Sequence, residues 1–405
     1  MKASTYPLID VEEAAATVLQ HTPVLGSEMV PLAACWGRVL AADLISDLEL
    51  PPFSSSAVDG YAVRSSDGGG RLRVVGESAA GRPYQGRLEA GTAARLLTGG
   101  VLPTGADSVV MVEETSLEGE WVTVPSGLEP NRNFHRPGDD LRRGEVVLSR
   151  GQQLGAAEIG LAAATGHPQL SVHRRPRVAL MSTGDELVEV GTAPGPGQIA
   201  DSNRWALLAA LREAGADVQL LGIGPDRPEP LREMVVAALQ DCDALVTSGG
   251  VSVGTHDLVK PLLEALGLVH VGRVKLRPGK PFTFATLAGG KLAFGLPGFP
   301  VSSLVTFEVF VRPALRRLQG HRALQRPLLP VRLGYDARAA GDRTEYQRVT
   351  LRRDGDTLVA ETTGSQSSSR LMSLAGAHAL IRIPPGEAGM QAGTVTQALV
   401  LALPD

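Results

Sequence analysis

The sequence predicts a multidomain α/β protein: a central doubly wound α/β domain with a mostly parallel sheet, a discontinuous helical domain and two small β domains. Three observations predict it. Between residues 174 and 324 strand-length apolar runs alternate with helical patterns, three of those runs break into glycine- or proline-rich loops, and the flanking segments change to short β-branched runs. Such alternation implies parallel strands covered by helices on both faces.

In chain order, 11–20 and 156–165 read as helices, and they assign 1–46 and 138–173 to a helical domain interrupted by a β insertion at 47–137. The insertion is rich in glycine and proline, with strand patterns at 72–75, 108–112 and 121–124. The central domain, 174–324, begins with the apolar run 177–182, closed by Thr183-Gly184-Asp185-Glu186. A helix follows over 201–215, with a capping choice at its start, Leu207, Leu208 and Leu211 on one face, and Gly215 at its stop. A strand at 218–223 and a helix at 229–240 come next. The apolar run from Ala244 then breaks into Ser248-Gly-Gly-Val-Ser-Val-Gly254, and a helix covers 258–266, with Pro261 tolerable in its first turn. The run 291–296 closes in Pro297-Gly298-Phe299-Pro300. The last domain, 325–405, carries strand patterns at 329–333, 346–352, 357–362, 379–383 and 395–403, with Asp354-Gly355 as a hairpin signal.

The three loops are expected to meet in one crevice, because open α/β sheets bind ligands beyond the carboxyl ends of their strands. Gly249, Gly250 and Gly254 can take positive φ and bring backbone N–H groups close to a ligand. A helix beginning near Thr255 would add its own N–H groups for a phosphate or oxyanion. A tight turn without a ligand is the competing reading of that stretch.

Composition excludes several classes. The 43 acidic residues exceed the 39 basic ones, giving a net charge of −4 and no basic field for nucleic acid or an anionic membrane. Cys35 and Cys242 are the only cysteines, which suits a reducing, cytoplasmic compartment and excludes a disulfide framework or a cysteine zinc site. No leader-like or membrane-spanning run is expected.

Seven motifs then carry a resemblance: Pro51-Pro-Phe-Ser-Ser-Ser-Ala-Val-Asp-Gly-Tyr-Ala-Val63, Leu97-Thr-Gly-Gly-Val-Leu-Pro103, Ser182-Thr-Gly-Asp-Glu-Leu187, Gly197-Gln-Ile-Ala-Asp-Ser-Asn203, Ser248 to Gly254, Arg277-Pro-Gly-Lys-Pro-Phe282 and Gly295-Leu-Pro-Gly-Phe-Pro-Val-Ser302. In this order they resemble the molybdopterin molybdenumtransferase family, the MoeA type, to which the C-terminal domain of gephyrin also belongs. The resemblance implies a four-domain elongated protomer, a homodimer with its site where protomers meet, and insertion of molybdate into adenylylated molybdopterin with release of AMP.

Cleaving a phosphoanhydride needs N–H donors, cations and a divalent metal to offset charge. The expected substrate contacts are Gly249, Gly250, Ser252, Gly254 and Arg277, with Pro297 and Pro300 from the following loop. Lys280 supplies a point charge. Glu186, Asp226 and Asp257 are the candidate acids, with Asp226 and Asp257 as candidate ligands of Mg²⁺. Helix capping is the alternative for the two aspartates, and Asp185 serves the turn. Position by position, the family resemblance adds Asp59, Thr98, Asp140, Arg348 and Ser368.

Two departures from the family pattern stand out. Ser54-Ser55 replaces the usual Asp-Asn after Pro-Pro-Phe, and Phe299 replaces the amide of Pro-Gly-Asn-Pro, which puts substrate contact there in doubt. Adenylylation of molybdopterin and a scaffold role are the competing functions. The flanking β domains speak against the first, and the absence here of gephyrin's extra domain and linker speaks against the second. Contact with a molybdopterin adenylyltransferase is a further expectation.

Overall fold

The computed structural model describes residues 6–251, 258–386 and 388–403. The chain forms two compact units, one of Met1–Glu28, Gly37–Ala41 and Val172–Asp405, the other of Met29–Trp36 and Ala42–Ser171. Among the described residues no helix is long and apolar enough to cross a membrane.

The smaller unit is built on six strands: β1 (Gly60–Val63), β2 (Arg71–Ser78), β3 (Thr92–Leu96), β4 (Ser108–Met111), β5 (Ser116–Glu118) and β6 (Trp121–Thr123). Their order is β4-β1-β3-β2-β6-β5, and only β2 and β3 run parallel. Neighbouring residues face opposite sides, so Tyr61, Ala93 and Val110 build one core while Ala62, Ala94 and Val109 build another. Helix α2 (Ala156–Ala164) also belongs to this unit.

Helix α1 (Val11–Gln20) belongs to the larger unit. Its apolar face, Val11, Ala14 and Val18, is buried in the core of the larger unit with Val309 and Phe310. A ten-residue amphipathic helix shows where it is apolar but not which partner covers it.

The centre of the larger unit is a six-stranded sheet: β7 (Arg177–Thr183), β8 (Asp217–Gly224), β9 (Ala244–Ser248), β10 (Gly267–Val271), β11 (Thr283–Leu287) and β12 (Lys291–Leu296). The order is β8-β7-β9-β12-β11-β10; the first four strands are mutually parallel, and β11 runs antiparallel to both its neighbours, β12 and β10. Helix α3 (Asn203–Glu213), helix α6 (Pro300–Thr306), a π-helical turn (Phe307–Val311) and helix α7 (Arg312–Leu318) cover one face through Leu207, Leu211, Val305 and Leu315. Helices α4 (Pro228–Asp241) and α5 (Val259–Leu266) cover the other through Leu231, Val235 and Leu263. The domain is therefore doubly wound, and the chain reverses its direction of strand addition between β7 and β9.

The C-terminal strands are β13 (Leu328–Leu333), β14 (Thr344–Asp354), β15 (Thr357–Thr362), β16 (Ala379–Ile383) and β17 (Val395–Val400). Pairing runs β14-β15-β13-β17-β16 and returns from β16 to β14, closing a small barrel around Val331, Val349, Ile381 and Ala398. The Asp354-Gly355 hairpin forms as expected, with Asp354 opposite Thr357 and Gly355 at φ 59°. A two-residue strand, Leu276–Arg277, pairs with Thr344 and Glu345 and ties the barrel to the central sheet.

Candidate active site

A cavity of about 1490 Å³ opens at the carboxyl edge of the central sheet. Four strand-end loops line it: Thr183 to Glu186 after β7, Asp226 after β8, Gly249 and Gly250 after β9, and Pro297 to Pro300 after β12. Arg277 to Lys280 add a cationic wall, and the barrel contributes Arg343 and the serine loop from Ser365 to Ser369. Of the residues expected from sequence, Glu186, Asp226, Gly249, Gly250, Arg277, Lys280, Pro297, Pro300 and Ser368 thus share one cavity. Ser252, Gly254 and Asp257 lie outside the described residues.

The glycine turn is fixed by sterics. Gly249 and Gly250 have φ of 88° and 66°. A Cβ on Gly249 would stand 2.4 Å from the Thr183 carbonyl oxygen, and one on Gly250 would meet Val259 Cγ2 at 2.6 Å. Only glycine permits both the turn and this closeness to β7. Thr183 Oγ1 is buried at the same place and has no hydrogen-bond partner among the described residues.

Asn203 clamps two of the loops together. Its Nδ2 donates to Ser248 Oγ at 2.8 Å and to the Gly298 carbonyl at 2.7 Å. Just before it, buried Asp201 accepts from Ser182 Oγ at 3.1 Å and from the Arg204 backbone at 3.1 Å. The sequence reading places this Asp201-Ser202-Asn203 stretch at a helix start but assigns it no site role. Each residue reads equally well as a cap, and only the fold reveals what the side chains reach.

The cations divide by burial. Arg277 is half exposed, with Nε 3.6 Å from Glu345 Oε1, and Lys280 is exposed on the cavity wall. Arg348 lies outside the lining of this cavity. It is fully buried at 0% exposure, and burial pulls its guanidinium down to about 10. Its Nη2 donates to the carbonyl of Ser367 at 3.1 Å and its Nε to Ser373 Oγ at 3.1 Å, so it shapes the serine loop from behind. The front of that loop is held by α6, whose Val301 N–H donates to the Ser368 carbonyl at 3.1 Å.

In the smaller unit, Asp59 Oδ1 accepts both the backbone N–H and the hydroxyl of Thr98, each at 2.7 Å. The backbone bond foremost, and then the hydroxyl, hold the carboxyl below its ordinary range. Asp140 is an exposed loop residue whose N–H donates to the Leu50 carbonyl.

Comparison with known proteins agrees with this layout. Residues 9–166 match the family model described as MoeA N-terminal region (domain I and II), 179–317 the probable molybdopterin binding domain, and 330–401 the MoeA C-terminal region (domain IV). A molybdopterin molybdenumtransferase from a Nostoc strain is 39% identical, over 98% of this chain and 94% of its own length. The chain belongs to the molybdopterin molybdenumtransferase family. Gephyrin from Dictyostelium discoideum is 35% identical over 99% of the chain, which spans 63% of that relative's length. The crystal structure of a MoeA protein from Pyrococcus horikoshii superposes with a TM-score of 0.83 at 31% identity, covering 97% of this chain and 99% of the other.

A divalent metal fits the donor set of this family member in one way. Among the described residues no group of three or more histidine, cysteine or acidic side chains is arranged to hold a metal. Glu186 and Asp226 nevertheless offer oxygen donors on the cavity wall. That suits Mg²⁺, which takes one or two carboxylates and completes its shell with water and substrate phosphates.

Proposed function

We propose that the chain inserts molybdate into adenylylated molybdopterin, cleaving the phosphoanhydride and releasing AMP to form the molybdenum cofactor. The observation that carries this reading is the joining of a positive-φ glycine turn, a cationic wall and carboxylates in one cavity at the switch point of a parallel sheet. The backbone N–H of Gly250 holds a phosphate, while that of Gly249 fixes the turn by donating to the Leu296 carbonyl at 3.0 Å. Arg277, a planar donor, and Lys280, a point charge, take the remaining phosphate and molybdate oxygens. As a water oxygen attacks phosphorus and the bond to the bridging oxygen breaks, Lys280 and the Gly250 N–H meet the growing negative charge on the leaving phosphate. Mg²⁺, held by Asp226 with Asp257 or Glu186, would neutralise phosphate charge. Ser368 faces the same space from a loop braced on both sides.

Asp59, Thr98 and Asp140 complete the site from a second copy in a homodimer. Exposed apolar residues of the smaller unit support that assembly: Met29, Trp36, Ile45, Phe53 and Val146 all stand in water, with Ile45 and Val146 directly paired across two short strands. The acidic balance and the presence of only two cysteines favour the cytoplasm. A molybdopterin adenylyltransferase is the partner that would hand over this substrate.

The test is to incubate the purified protein with adenylylated molybdopterin, molybdate and Mg²⁺ and to follow AMP release and cofactor formation together. Both should appear and depend on molybdate; substrate that binds and stays intact would leave a carrier or scaffold instead.

A further inference from the structure

Six phenylalanines lie between residues 282 and 310, and five of them are at most 1% exposed. Phe299 is 59% exposed and is the only aromatic residue among those described around the cavity. Nothing local calls for a ring there. Phe299 is the N-cap of α6, where a serine, threonine, aspartate or asparagine would accept a helix N–H, and its side chain makes no capping bond. Nor does packing explain it, since most of the residue remains in water.

The backbone that carries the ring is nonetheless held firmly. Asn203 grips the Gly298 carbonyl at 2.7 Å, and the Ser303 N–H donates to the Phe299 carbonyl at 2.9 Å. Gly298 stands against the glycine turn, with a Cβ there only 3.8 Å from Gly249 Cα. An exposed ring on a fixed backbone beside an anion-binding turn can receive a flat, phosphate-bearing ligand.

We infer that Phe299 is a stacking platform for the planar fused nitrogen heterocycle of the substrate and sets affinity for it. The inference rests on the proposed function, whose substrate carries two such rings, a pterin and an adenine. Both present a π-face, and offset stacking on a phenyl ring serves either.

The test is calorimetric titration of AMP, and separately of molybdopterin, into wild type, Phe299→Ala, Phe299→Asn and Phe299→Trp. Loss of the ring should weaken one of these ligands about tenfold in the Ala and Asn variants, with Phe299→Trp staying close to wild type. Pyrophosphate binding should not change. Phe299→Asn restores a cap, so its melting temperature should equal or exceed wild type, which separates the ring's role from folding. Weakening confined to AMP assigns the platform to adenine; weakening confined to molybdopterin assigns it to the pterin. Unchanged binding of both overturns the inference, as does an effect confined to sedimentation, which would make the ring a contact between copies. AMP release by the wild-type sample separates the two failures. If the wild type turns over while the variants bind normally, only the platform is lost; if it neither binds nor turns over, the functional reading falls and takes the platform with it.

Discussion

Gly249 shows how far a single residue can be read from sequence. Its place after an apolar run points to a turn with positive φ, and the turn has it; the Thr183 carbonyl that excludes any Cβ is visible only in the fold. Gly249→Ala is therefore expected to lose about 2 kcal/mol of stability or more and to lower activity, measured by urea unfolding and turnover; unchanged values would contradict the geometry. Lys280 offers the contrasting case, an exposed side chain whose removal should leave the melting temperature alone. Lys280→Ala should lower turnover on the order of a hundredfold, and a variant with full turnover would remove Lys280 from the site. His321 was not legible at all, because its burial beside Arg316 depends on the end of α7. Burial first, and then the Arg316 guanidinium, push the ring down to about 4. Its folded value thus lies below the ordinary 6.5, so the stabilisation is fully present above about pH 6.5 and is lost as pH falls toward 4. Between pH 7.5 and 5 the wild type should lose on the order of 2 kcal/mol more stability than His321→Gln; equal losses would dismiss the role.

Elements were legible where periodicity and punctuation agree. Helix α4 carries Pro228 at its start and one apolar face, and strand β7 is closed by Thr183-Gly184, so both lie where the sequence places them. Strand β10 is different. It follows α5 with no break, Leu266 to Gly267, and its pairing with β11 is what extends the sheet on that side. A continuous apolar stretch gives no sign of that change of period. Site positioning at this scale rests on Asn203, which joins the ends of β9 and β12. Asn203→Ala leaves two oxygens without a donor and should cost about 1 to 3 kcal/mol, with a raised KM; a KM equal to wild type would show that the two loops hold their places without it.

At the scale of the whole molecule, the order of seven motifs was the strongest signal, because it runs from Pro51 to Ser302 while composition only excludes classes. What it left unread is where α1 packs and how the serine loop reaches the cavity, since both depend on contacts between distant segments. The homodimer is a whole-molecule expectation too. Light scattering should give about twice the 42.4 kDa chain mass, and Trp36→Glu should shift it toward the monomer with loss of turnover; a fully active monomer would place the whole site within one chain. The most direct test of the account is a crystal structure of the protein soaked with tungstate, a heavy stand-in for molybdate, read by anomalous scattering. The account predicts a peak inside the cavity, within reach of Arg277, Lys280 and the loop carrying Ser368; a bound anion only outside that cavity, in protein that still turns over, would contradict it.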